Sequence, residues 1–300
     1  MNAMAVPTPI TIDIKRILCP TDFSPVSLAA LPVASTLAEE YGAEVFLTHI
    51  CSPVPYTAGS PEMLEALERR EENEAWEKLR NILVGNDLRN VPASSLVRWG
   101  GPVDEVNRLV RDDKVDMIVT STHGRTGWKH LLMGSVAEEL LRTVPCPVIT
   151  VGPKLQRRFA KAASIKNIVY ATDLSEESKA AFPYVASMAT RYRAALTLLH
   201  VLPIENADNP NAKLLAQPWR DQMRKTFSPC IDWHSAASYE IDFGDPAERI
   251  LFYAKEKNAE LIAFGVRRRS EVATHLRNTT TYRVILDAHC PVLTASFWKS

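Results

Sequence analysis

An internal repeat constrains this chain more than any other feature. Thr21-Asp22-Phe23-Ser24 returns as Thr172-Asp173-Leu174-Ser175, and Pro145-Cys146-Pro147-Val148 returns as His289-Cys290-Pro291-Val292. Residues 18–50 align with 169–201 at a constant offset of 151. From the middle of each half the offset becomes 144, so Gly100 falls on Gly244 and Gly134 on Asn278. Two stretches that share landmarks over this length build the same fold twice. Their loop glycines differ, which points to one working ligand site and one copy kept mainly for structure.

A chain of 300 residues fits two domains, each large enough to bury its own core, and the repeat divides them as 1–152 and 153–300. The hydrophobic share of 46% and charged share of 23% are ordinary for globular protein. Net charge is zero, so no global field favours nucleic acid or an anionic membrane, and any anion site must be local. No cationic start precedes an apolar segment, and no apolar run approaches the length of a membrane span. The chain therefore reads as soluble and cytoplasmic. Cys19, Cys51, Cys146, Cys230 and Cys290 show no CxxC spacing, which argues against a disulfide framework or a zinc site. Cys146 and Cys290 hold equivalent places and read as buried small hydrophobes.

Each half alternates strand and helix patterns. Apolar runs appear at 16–19, 44–50, 95–99, 116–121 and 147–151, and again at 167–171, 195–201, 238–241, 260–265 and 291–295. Amphipathic segments such as 26–41, 102–112 and 136–143 lie between them. Short β-branched runs separated by helices imply parallel strands covered on both faces, hence an α/β chain of two tandem doubly wound domains with five strands each. Ser24-Pro25 places an N-cap before a proline, and Ser175-Glu176-Glu177 puts acid in the equivalent first turn. Pro32 and Pro183 sit at matching points inside these helices and read as kinks. Residues 63–83 predict a charged, solvated helix with i,i+4 pairs such as Glu74–Lys78. Residues 152–164 read as the linker.

The chemistry concentrates between Asp116 and Ser135. A buried strand ends near Ser121, a loop bearing Gly124, Gly127 and Gly134 follows, and a helix begins at Ser135, where Ser135-Val136-Ala137-Glu138 fits a capping box. Unpaired N–H groups and a partial positive charge at a helix start suit phosphate, and the glycines would permit close approach and positive φ. Arg125 and Lys129 could add charge. Neither GxxxxGK[ST] nor GxGxxG after the first strand is present. In open α/β sheets ligands sit at strand carboxyl ends where the order reverses. If strands one and four are neighbours, Asp22 faces the Gly124 loop, where a carboxylate suits ribose hydroxyls or an adenine amine. The alternative for Asp22 is a helix cap or turn residue. His49 and His200 match each other and read as strand-end side chains bonded to backbone. His123 could approach a ligand, yet no paired carboxylates, triad order or metal set accompanies it, so no catalytic residue is assigned.

With the Pro-Thr-Asp-Phe-Ser start, the Thr48-His49-Ile50 strand end and the Pro-Cys-Pro-Val finish, the chain resembles the universal stress protein family in a tandem two-domain form. The family pattern G-x2-G-x9-G-[S/T] reads here Ser121-x2-Gly124-x9-Gly134-Ser135, with the first glycine replaced. The resemblance implies strand order 3-2-1-4-5, ATP in the crevice, and pairing of domains through their fifth strands. By position it implies that Pro20, Asp22 and the Ile50 backbone contact adenosine, that Thr120 and Ser121 lie by the ribose, and that Gly124, Gly134, Ser135 and Val136 hold the phosphates. Magnesium could bridge those phosphates.

The second half departs further. Its loop reads Gly265-Val266-Arg267-Arg268 and, nine residues on, Asn278-Thr279, so both phosphate-side glycines are gone and no glutamate completes a capping box. Weak or no ATP binding is expected there, with Arg267, Arg268 and Arg269 as surface arginines; the alternative is that they bind phosphate by charge or reach into a partner domain. The leading functional reading is an ATP-binding protein of regulatory or stress-response role, with at most slow hydrolysis. A nucleotide-free interaction module built from paired domains is the alternative. An adenylating or nucleotidyl-transfer enzyme ranks last, because the His-Ile-Gly-His and Ser-Gly-Gly-x-Asp-Ser loops are absent. Terminal strands at 144–151 and 289–295 would be sheet edges, so the halves could pair within one chain and the chain could form a homodimer.

Overall fold

The computed structural model describes residues 11–53, 60–85, 87–122, 133–155, 165–203, 212–231, 236–266 and 279–296. Contacts divide the chain into two compact units, Ile14–Pro153 and Lys154–Ser300, the second joined by the described residues 11–13. The Ile12 amide donates to Ser187 Oγ of that second unit at 2.8 Å.

The first unit carries β1 (Arg16–Pro20), β2 (Glu44–Cys51), β3 (Ala93–Trp99), β4 (Met117–Ser121) and β5 (Val148–Val151) in the order β3-β2-β1-β4-β5. All of its pairings are parallel. Every residue of β4 and β5 is buried, as expected of β-branched runs with no solvent face. The helices are α1 (Pro25–Leu28), α2 (Leu31–Tyr41), α3 (Pro61–Leu83), α4 (Pro102–Asp112) and α5 (Ser135–Thr143).

The second unit repeats the plan. Its strands β6 (Asn167–Ala171), β7 (Ala195–Leu202), β8 (Ala237–Phe243), β9 (Leu261–Val266) and β10 (Val292–Ser296) run β8-β7-β6-β9-β10, again all parallel. Counted within the unit this is the same 3-2-1-4-5 order. Helices α6 (Glu176–Tyr192), α7 (Ala212–Phe227), α8 (Pro246–Glu256) and α9 (Thr280–Asp287) bridge the strands. Tyr170, Phe182 and Phe227 form its largest buried cluster, with ring centroids 4.5–5.8 Å apart.

The copies agree in backbone detail. Left-handed φ recurs at Phe23 (67°) and Leu174 (62°), Gly42 (64°) and Arg193 (52°), and Lys114 (50°) and Asn258 (49°). Gly100 and Gly244 share φ of 142° and 129°, a region that side chains rarely enter, which explains why glycine recurs at that point. The strand-end turn is reproduced bond for bond. Thr21 Oγ1 accepts from the Phe23 amide and contacts Ser27 Oγ, while Thr172 Oγ1 does the same with Leu174 and Ser178. Asp22 accepts from the Ser24 amide at 3.0 Å, and Asp173 from the Ser175 amide at 2.9 Å. Ser24 and Ser175 then cap their helices, as the sequence predicts.

Three local expectations are corrected. Pro32 separates α1 from α2 and stands in the first turn of α2, because it has no N–H to offer the preceding turn; Pro183 stays inside an unbroken α6. Glu74 pairs with Arg70 at 3.0 Å, and Lys78 lies 5.4 Å above the Phe23 ring instead of pairing with Glu74. The capping box at Ser135 does not form, for a reason that belongs to the site.

Candidate functional site

In the first unit, strand ends and helix starts converge on a cavity of about 230 Å³. Because β1 neighbours both β2 and β4, the sheet order reverses here, and a crevice opens outside the carboxyl ends of the strands. Pro20 and Asp22 reach it from the end of β1, Ile50 from β2, and Thr120 and Ser121 from β4. Gly134, Ser135 and Val136 reach it from the start of α5. Eight of the nine residues implied from the sequence therefore surround one space; Gly124 lies outside the described residues, as do His123, Arg125, Gly127 and Lys129.

Asp22 takes the turn role weighed for it. Its Oδ1 takes the Ser24 amide, which fixes the turn, and the residue also borders the cavity. His49 Nδ1 donates to the Thr21 carbonyl oxygen at 2.8 Å, which makes it a strand-end brace. Since a carbonyl can only accept, that bond places the proton on Nδ1. His200 repeats the brace on the Thr172 carbonyl at 2.7 Å.

The start of α5 is the least protected part of the wall. Its N-cap is Gly134, with φ −65° and ψ 144°, and no side chain caps it. Ser135 already holds helical geometry, and the Glu138 amide is committed to the Gly134 carbonyl, so the serine hydroxyl stands one residue too late to act as a cap. The φ of Gly134 is one that any residue adopts, so positive φ is not what selects glycine here. Without a Cβ, Gly134 adds no side chain beside the first-turn amides of α5. Among the described lining residues Asp22 is the only charged one, and the start of α5 is where main-chain amides and the helix dipole would meet an anion.

Pro102 and Val106 of α4 also line the cavity and were not anticipated. Their signal was present: Gly100-Gly101-Pro102 returns as Gly244-Asp245-Pro246. Among the described residues no group of three or more His, Cys, Asp or Glu could hold a metal ion. All five cysteines are free, and burial pushes the Cys19 and Cys290 thiols up to about 12, which leaves them unreactive at neutral pH.

The second unit keeps a cavity of about 240 Å³ at the same strand ends, bordered by Thr172, Asp173, His200, Phe264, Gly265 and Thr280 among others. Phe264 stands where the first unit has Thr120. Gly265 has a packing reason: a Cβ there would lie 2.4 Å from the Glu177 carbonyl oxygen and 2.5 Å from Ser178 Cα. Arg267, Arg268, Arg269 and Asn278 lie outside the described residues.

A family model for the universal stress protein family matches residues 13–152 and again 164–296. The chain belongs to the universal stress protein family. It carries two tandem copies of that family's domain. Universal stress protein MJ0531 of Methanocaldococcus jannaschii is 33% identical over 141 residues, covering 46% of this chain and 81% of the relative. Universal stress protein MJ0577 of the same organism is 28% identical over 155 residues, covering 47% of this chain and 96% of the relative. The crystal structure of a universal stress protein from Archaeoglobus fulgidus superposes with a TM-score of 0.69 at 19% identity, covering 96% of this chain and 98% of that one. That likeness concerns the fold of universal stress proteins. Among the described residues no helix is long and apolar enough to cross a membrane.

Proposed function

We propose that this universal stress protein binds an adenine nucleotide, ATP first among them, in the cavity of the first unit, in a regulatory or stress-response role. The observation that carries the reading is the convergence of Asp22, Ile50, Thr120 and Ser121 with the uncapped start of α5 on one cavity. A triphosphate needs donors, and the first-turn amides of α5 would supply them. Asp22 and the Ile50 main chain suit the neutral end, where an adenine amine and ribose hydroxyls seek acceptors. Any magnesium would be held by the phosphates.

The reading assigns 1–152 to the nucleotide-bearing copy and 153–300 to a copy with weak or no ATP binding, in a cytoplasmic protein. It includes pairing of the two copies within one chain; sedimentation of the intact protein counts whether two chains also associate. Hydrolysis in this reading is at most slow. The test is to purify the protein under native conditions, release any bound ligand, identify it, and count it per chain. One ATP per chain is the expected result. Two would remove the asymmetry, and none in the presence of added ATP would favour a nucleotide-free interaction module.

A further inference from the structure

We propose that the outer edge of β3 is a self-association surface, to which a second copy of this chain adds its own β3. The two strands run antiparallel about a two-fold axis at Leu96. This rests on the sheet edge of the first unit and is independent of the nucleotide reading.

β3 closes the strand order of its unit and is bonded on one side alone, to β2. The Val45 amide donates to the Pro92 carbonyl, and the Gly100 amide to the Cys51 carbonyl. Alternation along the strand therefore turns Ser94, Leu96 and Arg98 toward β2. The main-chain groups of Ala93, Ser95, Val97 and Trp99 face outward. Among the described residues a single side chain meets them, Arg98, whose Nη1 donates to the Val97 carbonyl at 3.3 Å. No outward amide of β3 has a side-chain acceptor there. The matching edge of the second unit is blunted. On β8 the outward Tyr239 carbonyl accepts from Arg220 Nε of α7 at 3.2 Å, and the outward Phe243 amide donates to Asp242 Oδ1 at 2.7 Å. Open edge amides template pairing with another chain, which is why soluble proteins block them. β3 leaves them open.

What fits this edge is the same edge of a second copy. With Leu96 opposite Leu96, Ser95 meets Val97 and Ala93 meets Trp99, so each outward N–H and C=O finds a partner. The bulky indole then lies across from the smallest side chain of the strand. On the other face Arg98 comes opposite Ser94 of the second copy. Ser94 Oγ donates to Glu44 Oε1 at 2.8 Å, so the arriving guanidinium meets a carboxylate. Among the described residues Arg98 has no carboxylate partner in its own chain. The charge pattern is thus self-complementary, and it is satisfied twice by one two-fold operation. Such an isologous contact uses the same patch on both chains and closes at two.

The test is sedimentation equilibrium of the full chain over a concentration series, with a thermal melt on each variant. Ser95→Pro removes an outward amide that the ladder to β2 does not use, so the fold is kept while the edge is blocked. It should raise the dimer dissociation constant roughly tenfold or more. Arg98→Glu brings like charges together and should also weaken the dimer, and adding Glu44→Arg to it should restore the association. That restoration decides the matter if Ser95→Pro lowers the melting temperature. A monomer at every concentration overturns the proposal, as does a dimer indifferent to both Ser95→Pro and Arg98→Glu, or a charge swap that restores nothing. Register has its own readout. Opposed residues on the axis lie about 4.5 Å apart at Cα, within disulfide reach. Leu96→Cys should therefore cross-link two chains under mild oxidation more readily than the unsubstituted protein, and Ser94→Cys should not. Equal cross-linking by the two overturns the register.

Discussion

The Gly134 amide donates to the Thr122 carbonyl oxygen at 2.7 Å, tying the end of β4 to the residue that begins α5. That bond sets the bearing of the helix start on the strand end, and both residues line the cavity. Gly134→Asp tests what that bearing is for. A carboxylate at an N-cap supports a helix as well as glycine or slightly better, so the melting temperature should hold or rise. ATP affinity should fall about tenfold or more, because the same carboxylate faces the phosphates. Calorimetric titration beside a thermal melt separates the two effects; a joint fall in both would mean that the glycine serves folding alone.

Gly265 has no room for a methyl group. The obstructing atoms are backbone of α6, which cannot rotate aside as a side-chain tip can. Gly265→Ala should destabilise the second unit by about 1–3 kcal/mol, seen as an earlier denaturant transition. Ser121→Gly, at the equivalent point of the first unit, should shift stability far less. Equal effects at both positions would show that the Glu177 contact is unimportant.

Acid should loosen the second unit through two carboxylates. Burial works to raise the Asp173 pKa, yet hydrogen bonds from Ser175 and Ser178 outweigh it and hold the group below its ordinary value. Asp245 is held below its ordinary value chiefly by the Glu248 amide, with Arg283 assisting against desolvation. A folded pKa below the unfolded one stabilises above the unfolded value and loses that contribution as pH falls through the folded one. Urea midpoints measured from about pH 7 down to pH 2 should be flat at first and then decline. Replacing both by asparagine should shrink the decline; an unchanged slope would place acid sensitivity elsewhere.

The aromatic cluster sets the stability of the second core. Phe227 is 1% exposed and touches both Tyr170 and Phe182. Phe227→Ala should cost about 3–5 kcal/mol, whereas Phe227→Leu should cost much less. Chemical denaturation gives both numbers, and similar losses for the two would argue against packing as the cause.

Much of the fold was legible because the repeat supplied each strand twice, and buried β-branched runs such as Met117–Ser121 admit few other readings. The helix Ala212–Phe227 was harder to see, because Pro218 interrupts its pattern and Leu214, Leu215 and Trp219 are exposed. Strand ends and glycine spacing pointed to Asp22 and to the helix start at Gly134 and Ser135, while the other cavity residues came from the family resemblance by position. Pro102 and Val106 were missed although the Gly100-Gly101-Pro102 recurrence marked the start of their helix, since an amphipathic pattern does not say which cavity the helix walls. The capping box at Ser135 misled for a geometric reason: spacing alone does not say which residue first turns helical. Asp22 shows the reverse, since the turn and cavity readings were weighed as rivals and one carboxylate performs the first while bordering the second.

Arg193 occupies the conformation that Gly42 holds in the other copy, and Leu174 and Asn258 likewise mirror Phe23 and Lys114. Between the two halves the ribbon's awkward corners have been inherited intact, even where the residue standing on them changed. Change also reaches the linings of the hollows, where Phe264 stands for Thr120 and Leu199 for Thr48, so one scaffold offers its owner two differently furnished rooms.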